Sequence, residues 1–234
     1  MPLIFEKIMP SAHLGVWHIL ETESELRTLA RCSEEDLQKL DSYKNESRRK
    51  QWLACRAVLC QLIRLPMVAV DYDEHGKPSM RGSSSQISFS HTKEFAAVLV
   101  NKTGSCGVDI EKVSLRFEKV AGRFLQVDEN EHIRQLSEGR YNEGHDEGRN
   151  TDQYNLHSKL LCLYWCAKEA LYKFYGKPTI DLKNDIYIRA FDYFCNSQTT
   201  FTSRVTIAEG VRDHELQFER IKDHMLVFTI QEKV

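Results

Sequence analysis

The stretch GVDIEKV, residues 107–113, carries two acids two positions apart. On a β-strand such side chains share a face, so Asp109 and Glu111 would stand together while Val108 and Ile110 enter a core. Neighbouring carboxylates repel and call for a cation. Magnesium suits them, because it takes one or two carboxylates together with waters and substrate phosphates. The competing reading is a solvated acidic edge strand. A second pair lies in WCAKEALYKFYG, residues 165–176. There Ala167, Ala170, Leu171 and Phe174 recur at helical spacing, and Glu169 and Lys173 fall one turn apart on another face. That pair is either a weak surface ion pair or chemistry. As chemistry, Glu169 would be the third carboxylate of a magnesium site, and Lys173 would stabilise a phosphate or take part in proton transfer.

Other cations could face the same substrate. Arg56 sits within QWLACRAVLCQLI, apolar almost all round, and a buried arginine needs an anionic partner. That partner is an internal carboxylate or a bound phosphate. Lys77 beside Pro78 in the HGKP turn, and His91 at the end of ISFSH, add possible phosphate contacts. The set suits a phosphorus centre attacked under magnesium.

The elements that must position these residues follow from patterning. Residues 3–8 and 15–21 read as short strands, and Ser33-Glu34-Glu35-Asp36 as a capped helix start. A long helix is expected from about Asn45 to Leu65, before Pro66. Residues 71–80 form a turn-rich connection, Ile87–His91 and Phe95–Val100 a hairpin, and Cys106–Glu111 a further strand. Residues 116–137 suggest two amphipathic helices broken at Val127-Asp128. Residues 137–155 are polar with four glycines and read as a flexible loop, longer than a usual connection. The helix bearing Glu169 follows, then closing strands at 186–193, 200–208, 213–220 and 224–231. The order suggests an α+β protein of two similar α/β halves, 1–104 and 105–234.

Composition limits the class. The 234 residues are 41% hydrophobic and 28% charged with net charge −2, an ordinary globular balance that disfavours a broad nucleic-acid surface. No apolar run is long enough for a membrane span, and the N-terminal twenty residues, interrupted by Glu6 and Lys7, do not read as a secretory signal. Seven scattered cysteines without a CxxC pair point to reduced thiols and a cytoplasmic setting. Cys162 and Cys166 share a helix face without the further ligands of a zinc site.

GVDIEKV followed some fifty residues on by WCAKEALYKFYG resembles the paired signature of the 4′-phosphopantetheinyl transferases. ISFSHTKEFAAVLV resembles the family's Ser-His strand, with Ser90 and His91, and HGKP its Gly-Lys-Pro turn. RRKQWLACRAVL resembles the arginine-bearing helix, and EKVAGRFLQVDENEHI the segment after the metal strand, in the family's order. The length is similar to that of the longer, pseudodimeric, surfactin-synthetase-type enzymes, in which two fused halves hold one active site between them. The resemblance implies a monomer that transfers 4′-phosphopantetheine from coenzyme A to a serine of an apo acyl or peptidyl carrier protein, releasing 3′,5′-ADP. It implies magnesium on Asp109, Glu111 and Glu169, with Glu169 helping to deprotonate the serine and Lys173 neutralising phosphate charge. It also implies coenzyme A contacts from Arg56, Lys77 beside Pro78, Ser90 and His91, and 3′-phosphate contacts from Lys44, Arg48 and Arg49. Two other functions fit the same residues: a magnesium-dependent phosphohydrolase using water, and a carrier-protein-binding module without turnover.

Overall fold

The computed structural model describes residues 3–65, 67–138, 150–193 and 199–231. The chain divides into two compact units. The first comprises Met1–Ile110, Lys173–Gly176 and Ile230–Val234; the second comprises Glu111–Tyr172 and Lys177–Thr229.

The first unit opens with strands β1 (Phe5–Ile8) and β2 (Ala12–His18) and continues through helices α1 (Glu23–Ala30), α2 (Glu34–Asp41) and α3 (Glu46–Ile63). Each helix start has a side-chain reason. Thr22 and Glu25 form a capping box on α1, the Ser33 hydroxyl accepts from the Asp36 N–H on α2, and the Asn45 side chain accepts from Arg48 N–H on α3. Strands β3 (Val70–Tyr72), β4 (Pro78–Met80), β5 (Gln86–His91) and β6 (Phe95–Asn101) then return along a sheet of order β1-β2-β6-β5-β4-β3. Central β6 is buried along its whole length, which explains its uninterrupted apolar run. The core over this sheet draws Leu53, Val58, Leu59 and Leu62 from α3, Trp17 from β2, Leu26 from α1, Leu40 from α2, and Val98 and Val100 from β6.

Strand β7 (Cys106–Lys112) leads out of the first unit into the second. Helices α4 (Arg116–Phe124), α5 (Val127–Glu138) and α6 (Asn150–Tyr175) follow, then strands β8 (Ile186–Ile188), β9 (Thr200–Ile207), β10 (Gly210–Ile221) and β11 (His224–Ile230). The sheet order is β7-β11-β10-β9-β8. Phe117 and Phe124 of α4, two turns apart, both pack on Trp165 of α6, the latter edge-to-face with ring centroids 5.2 Å apart.

Among the described residues, two successive stretches of the chain, from β2 to β6 and from β7 to β11, share one order of elements. A strand is followed by three helices, the third the longest, and then by four strands that fold back so that the last lies beside the first: β2 with β6, β7 with β11.

Several expectations change. The second strand is Ala12–His18 rather than 15–21, the helix break falls at Leu125-Gln126 so that Val127 opens α5 instead of ending the helix before it, and the strand expected over 186–193 is Ile186–Ile188. Residues 71–80 are a short hairpin, β3 with β4, rather than a bare connection. Helix α1 was not expected, although its Thr22-x-x-Glu25 capping box is written in the sequence. The expected loop 137–155 is narrower: Ser137 and Glu138 belong to α5, where the Ser137 hydroxyl donates to the Ile133 carbonyl at 2.7 Å, and α6 begins at Asn150. Helix propagates outward from a packed segment into polar residues that lack glycine and proline, as 150–155 do. Residues 139–149 lie outside the described residues.

Helix α6 ends at Gly176, which adopts φ +62°. A Cβ there would stand 2.4 Å from the Lys77 Cδ, so glycine answers both the left-handed backbone and the passage of a lysine stem. Gly176→Ala is expected to lower stability by about 1–2 kcal/mol in chemical denaturation; a loss below about 0.5 kcal/mol would contradict this account of the turn.

Candidate functional site

Asp109 is the most constrained candidate residue. It lies on β7, 4% exposed, between the core residues Val108 and Ile110. A carboxylate so buried must be paired. Its Oδ1 accepts from the Ser90 hydroxyl at 2.7 Å and from the Lys173 Nζ at 2.7 Å. Lys173 also donates to the Val108 carbonyl at 3.2 Å. The Ser90 hydroxyl accepts in turn from the Ile110 N–H at 3.2 Å, and the Ser88 hydroxyl from the Val108 N–H at 3.1 Å. Two serines of β5 therefore replace a backbone ladder along β7 and set its height. Oδ2 of Asp109 is buried and has no hydrogen-bond partner among the described residues. A carboxylate oxygen so left fits an added cation, and the oxygen-donor set fits a hard one such as magnesium.

Strand β7 is present as expected, but its burial does not alternate: Cys106 to Ile110 are all buried, Asp109 included. Asp109 and Glu111 are two residues apart on it, and Glu111 is half-buried. The Glu111 carboxylate pairs with Arg116 at the start of α4, 2.5 Å away. Helix α6 meets the Glu111 backbone, the Cys162 thiol donating to its carbonyl at 3.6 Å. Glu169 is half-buried and lies two turns beyond Cys162, on the same stripe of the helix. Lys173 follows one turn later on that stripe.

The remaining expected phosphate contacts are distributed as follows. Arg48 and His91 meet: the guanidinium donates to His91 Nε2 at 2.6 Å, so the imidazole carries its proton on Nδ1. Burial, then the charges of Arg48 and Lys173, push the His91 pKa down to about 4. Lys77 donates to the Phe174 carbonyl at 2.6 Å, a cation on the C-terminus of α6, and burial lowers its pKa. Pro78 opens β4 directly behind it. Arg49 is held by Glu23 at 2.8 Å and by the carbonyls of Tyr43 and Lys44, while Lys44 itself is exposed. Arg56 has an internal carboxylate beside it. The arginine is 2% exposed and pairs with Asp36 at 3.4 Å, with Tyr72 hydroxyl at 3.3 Å and the Trp52 ring beneath its guanidinium.

One residue with no expected role stands out. Lys168, immediately before Glu169, is fully buried. Its Nζ donates to Glu129 at 2.8 Å and to the carbonyls of Leu182 and Ile186 at 3.0 and 2.6 Å. The signal was present in WCAKEAL, a lysine flanked by buried alanine and cysteine positions, as Arg56 was flanked in α3.

The α+β fold buries an acid on a strand beside a lysine from the last turn of a helix and leaves one carboxylate oxygen without a hydrogen-bond partner among the described residues. The family comparison supplies the particular: a model of the 4′-phosphopantetheinyl transferase superfamily matches residues 105–224, just over half of the chain, and the chain belongs to that superfamily. The match covers Asp109, Glu111, Glu169 and Lys173. No curated protein matches the chain.

The depressed His91 pKa has a thermodynamic consequence. As pH falls below the ordinary histidine value of 6.5, the unfolded chain takes up a proton that folded His91 refuses until about pH 4. Stability should therefore fall through that window. His91→Asn should flatten the dependence between pH 6.5 and 4 in urea melts; an unchanged slope would refute the assignment of a neutral, half-buried imidazole.

Proposed function

We propose that the chain is a magnesium-dependent 4′-phosphopantetheinyl transferase that modifies a serine of an apo acyl or peptidyl carrier protein with the arm of coenzyme A. The observation that carries the reading is Asp109, whose one oxygen is held by Ser90 and Lys173 while the other is buried and open, in a chain that belongs to this superfamily. Among the described residues no helix is long and apolar enough to cross a membrane. Six described cysteines are free thiols, which supports a cytoplasmic place; Cys195 lies outside the described residues.

In this reading Asp109, Glu111 and Glu169 hold magnesium, which when bound neutralises the pyrophosphate and polarises the β-phosphate. Ser90 fixes the Asp109 carboxylate, so that its free oxygen is aimed before any ligand arrives. Glu169, directly or through a water, accepts the proton of the carrier serine as its hydroxyl oxygen attacks the β-phosphorus. The P–O bond to 3′,5′-ADP breaks and the nucleotide leaves. Lys173, held by Asp109 and one turn from Glu169, offsets the charge that gathers on the phosphates. Arg48 and His91 face the 3′-phosphate end of coenzyme A, the neutral imidazole accepting from Arg48 and thereby orienting the guanidinium. Lys77, Lys44 and Arg49 remain candidates for the outer phosphates. The repeated strand–helices–strands plan supports reading the chain as two fused copies of one unit, the single-chain counterpart of a dimer, acting as a monomer.

Incubation with apo-carrier protein, coenzyme A and magnesium, read by intact mass, should show the carrier gaining one phosphopantetheine. Asp109→Ala and Glu169→Gln should each lower the rate by roughly 10² or more; Glu169→Gln should melt near the parent protein, whereas Asp109→Ala should also lower Tm because it removes the buried partner of Lys173 and Ser90. Release of 3′,5′-ADP with an unmodified carrier would replace transfer by hydrolysis. Carrier binding with neither change would replace both by a docking role.

A further inference from the structure

The two stretches carry the same buried charge pair at the same place in their shared order of elements. In the first, Asp36 is the third residue of α2 and pairs with Arg56, seven residues before the end of α3. In the second, Glu129 is the third residue of α5 and pairs with Lys168, seven residues before the end of α6. Both acids also serve the start of their own helix: Asp36 through Ser33, at 3.2 Å, and Glu129 by accepting from the Gln126 N–H at 2.7 Å. All four side chains are buried. The helices end alike as well, Arg64 and Gly176 both adopting a positive φ one residue beyond the last turn.

The copies differ in what they hold. The Lys168 pair is the more completely bonded. Lys168 spends its three protons on Glu129 and two carbonyls, and Glu129 accepts from Gln126 N–H, from Lys168 and, through Oε1, from the Ile188 N–H at 2.7 Å. One side chain thus ties α6 to the start of α5, to the turn at Leu182 and to the start of β8. The residue after Lys168 is Glu169; the residue after Arg56 is Ala57.

We propose that the Lys168–Glu129 pair is a positioning device that fixes the rotation of α6 and so the height of the Glu169 carboxylate, whereas its twin Arg56–Asp36 serves stability alone. Arg56 is thereby assigned to the internal carboxylate rather than to a phosphate. A helix pinned at residue 168 by three partners on three elements cannot roll about its axis. A roll of one residue would turn Glu169 by about 100°. The proposal rests on the reading of Glu169 as a metal ligand.

The test reads metal affinity directly, by titrating Mn²⁺ into the full-length protein and following the free-ion electron paramagnetic resonance signal. If the parent protein binds no Mn²⁺, the metal reading itself fails and this inference with it. If the parent binds, Lys168→Met should weaken Mn²⁺ about tenfold or more, the scale on which groups that orient metal ligands act. It should also raise the magnesium requirement of transfer without changing the KM for coenzyme A. Breaking the twin with Asp36→Asn should leave Mn²⁺ affinity within about twofold while lowering Tm by roughly 6–12 °C, as loss of a buried partner does. Because Lys168→Met strands a buried carboxylate, the double variant Lys168→Met/Glu129→Leu keeps the question open: replacing the whole pair by apolar groups should restore Tm but not Mn²⁺ affinity. Parent-like affinity in that folded double variant, or an equal loss in Asp36→Asn, would overturn the proposal.

Discussion

A carboxylate at 4% exposure in the middle of a strand is the constraint on which the site depends. A carboxylate buried without hydrogen-bond donors is costly, and the structure spends a serine and a lysine on one of its oxygens. Both donors carry a further duty. Ser90 also accepts from the β7 backbone at Ile110, so the depth of the strand and the orientation of the acid are set by the same hydroxyl. Lys173 also donates to the Val108 carbonyl, so the last turn of α6 is registered against β7 by the same ammonium. The oxygen left open is therefore aimed by groups already in place, which is what a preorganised cation site requires.

The cations of the chain serve different purposes. Lys77 stands on the C-terminus of α6, where the helix dipole favours positive charge, and Gly176 leaves room for its stem. Arg48 leans on a neutral His91, which keeps a full positive charge at that point without adding a second. Arg49 is committed to Glu23 and to the carbonyls before α3. Arg56 and Lys168 are committed to buried acids. Burial pushes the Lys168 pKa down and the Glu129 pKa up, and their hydrogen bonds to each other and to four backbone groups offset that cost. A basic residue in this chain is thus a poor guide to a phosphate unless its internal partner is known.

Much of the local structure could be read from the residues. The Ser33 and Asn45 caps, the β5–β6 hairpin and the presence of two helices and four closing strands follow from capping chemistry and periodicity, whereas the place of the break between α4 and α5 and the short extent of β8 do not. The period-two spacing of Asp109 and Glu111 placed them on one strand, and the period of four placed Glu169 and Lys173 on one helix face. Of the motifs, those within residues 105–224, GVDIEKV and WCAKEALYKFYG among them, lie in the stretch that the superfamily model matches.

What the chain order could not convey was partnership. That Asp109 would take Ser90 and Lys173, separated from it by 19 and 64 residues, depends on which strand and helix end come to lie together. The same is true of Arg56, for which the sequence allowed a phosphate or a carboxylate with equal reason, and of Lys168, which carried no local sign of Glu129. Residue type and spacing determine which groups can exist on a face, because helix and strand periods are properties of the backbone. Only the tertiary structure decides which charges are neutralised internally and which oxygen is left open, because burial and pairing arise from elements distant in sequence.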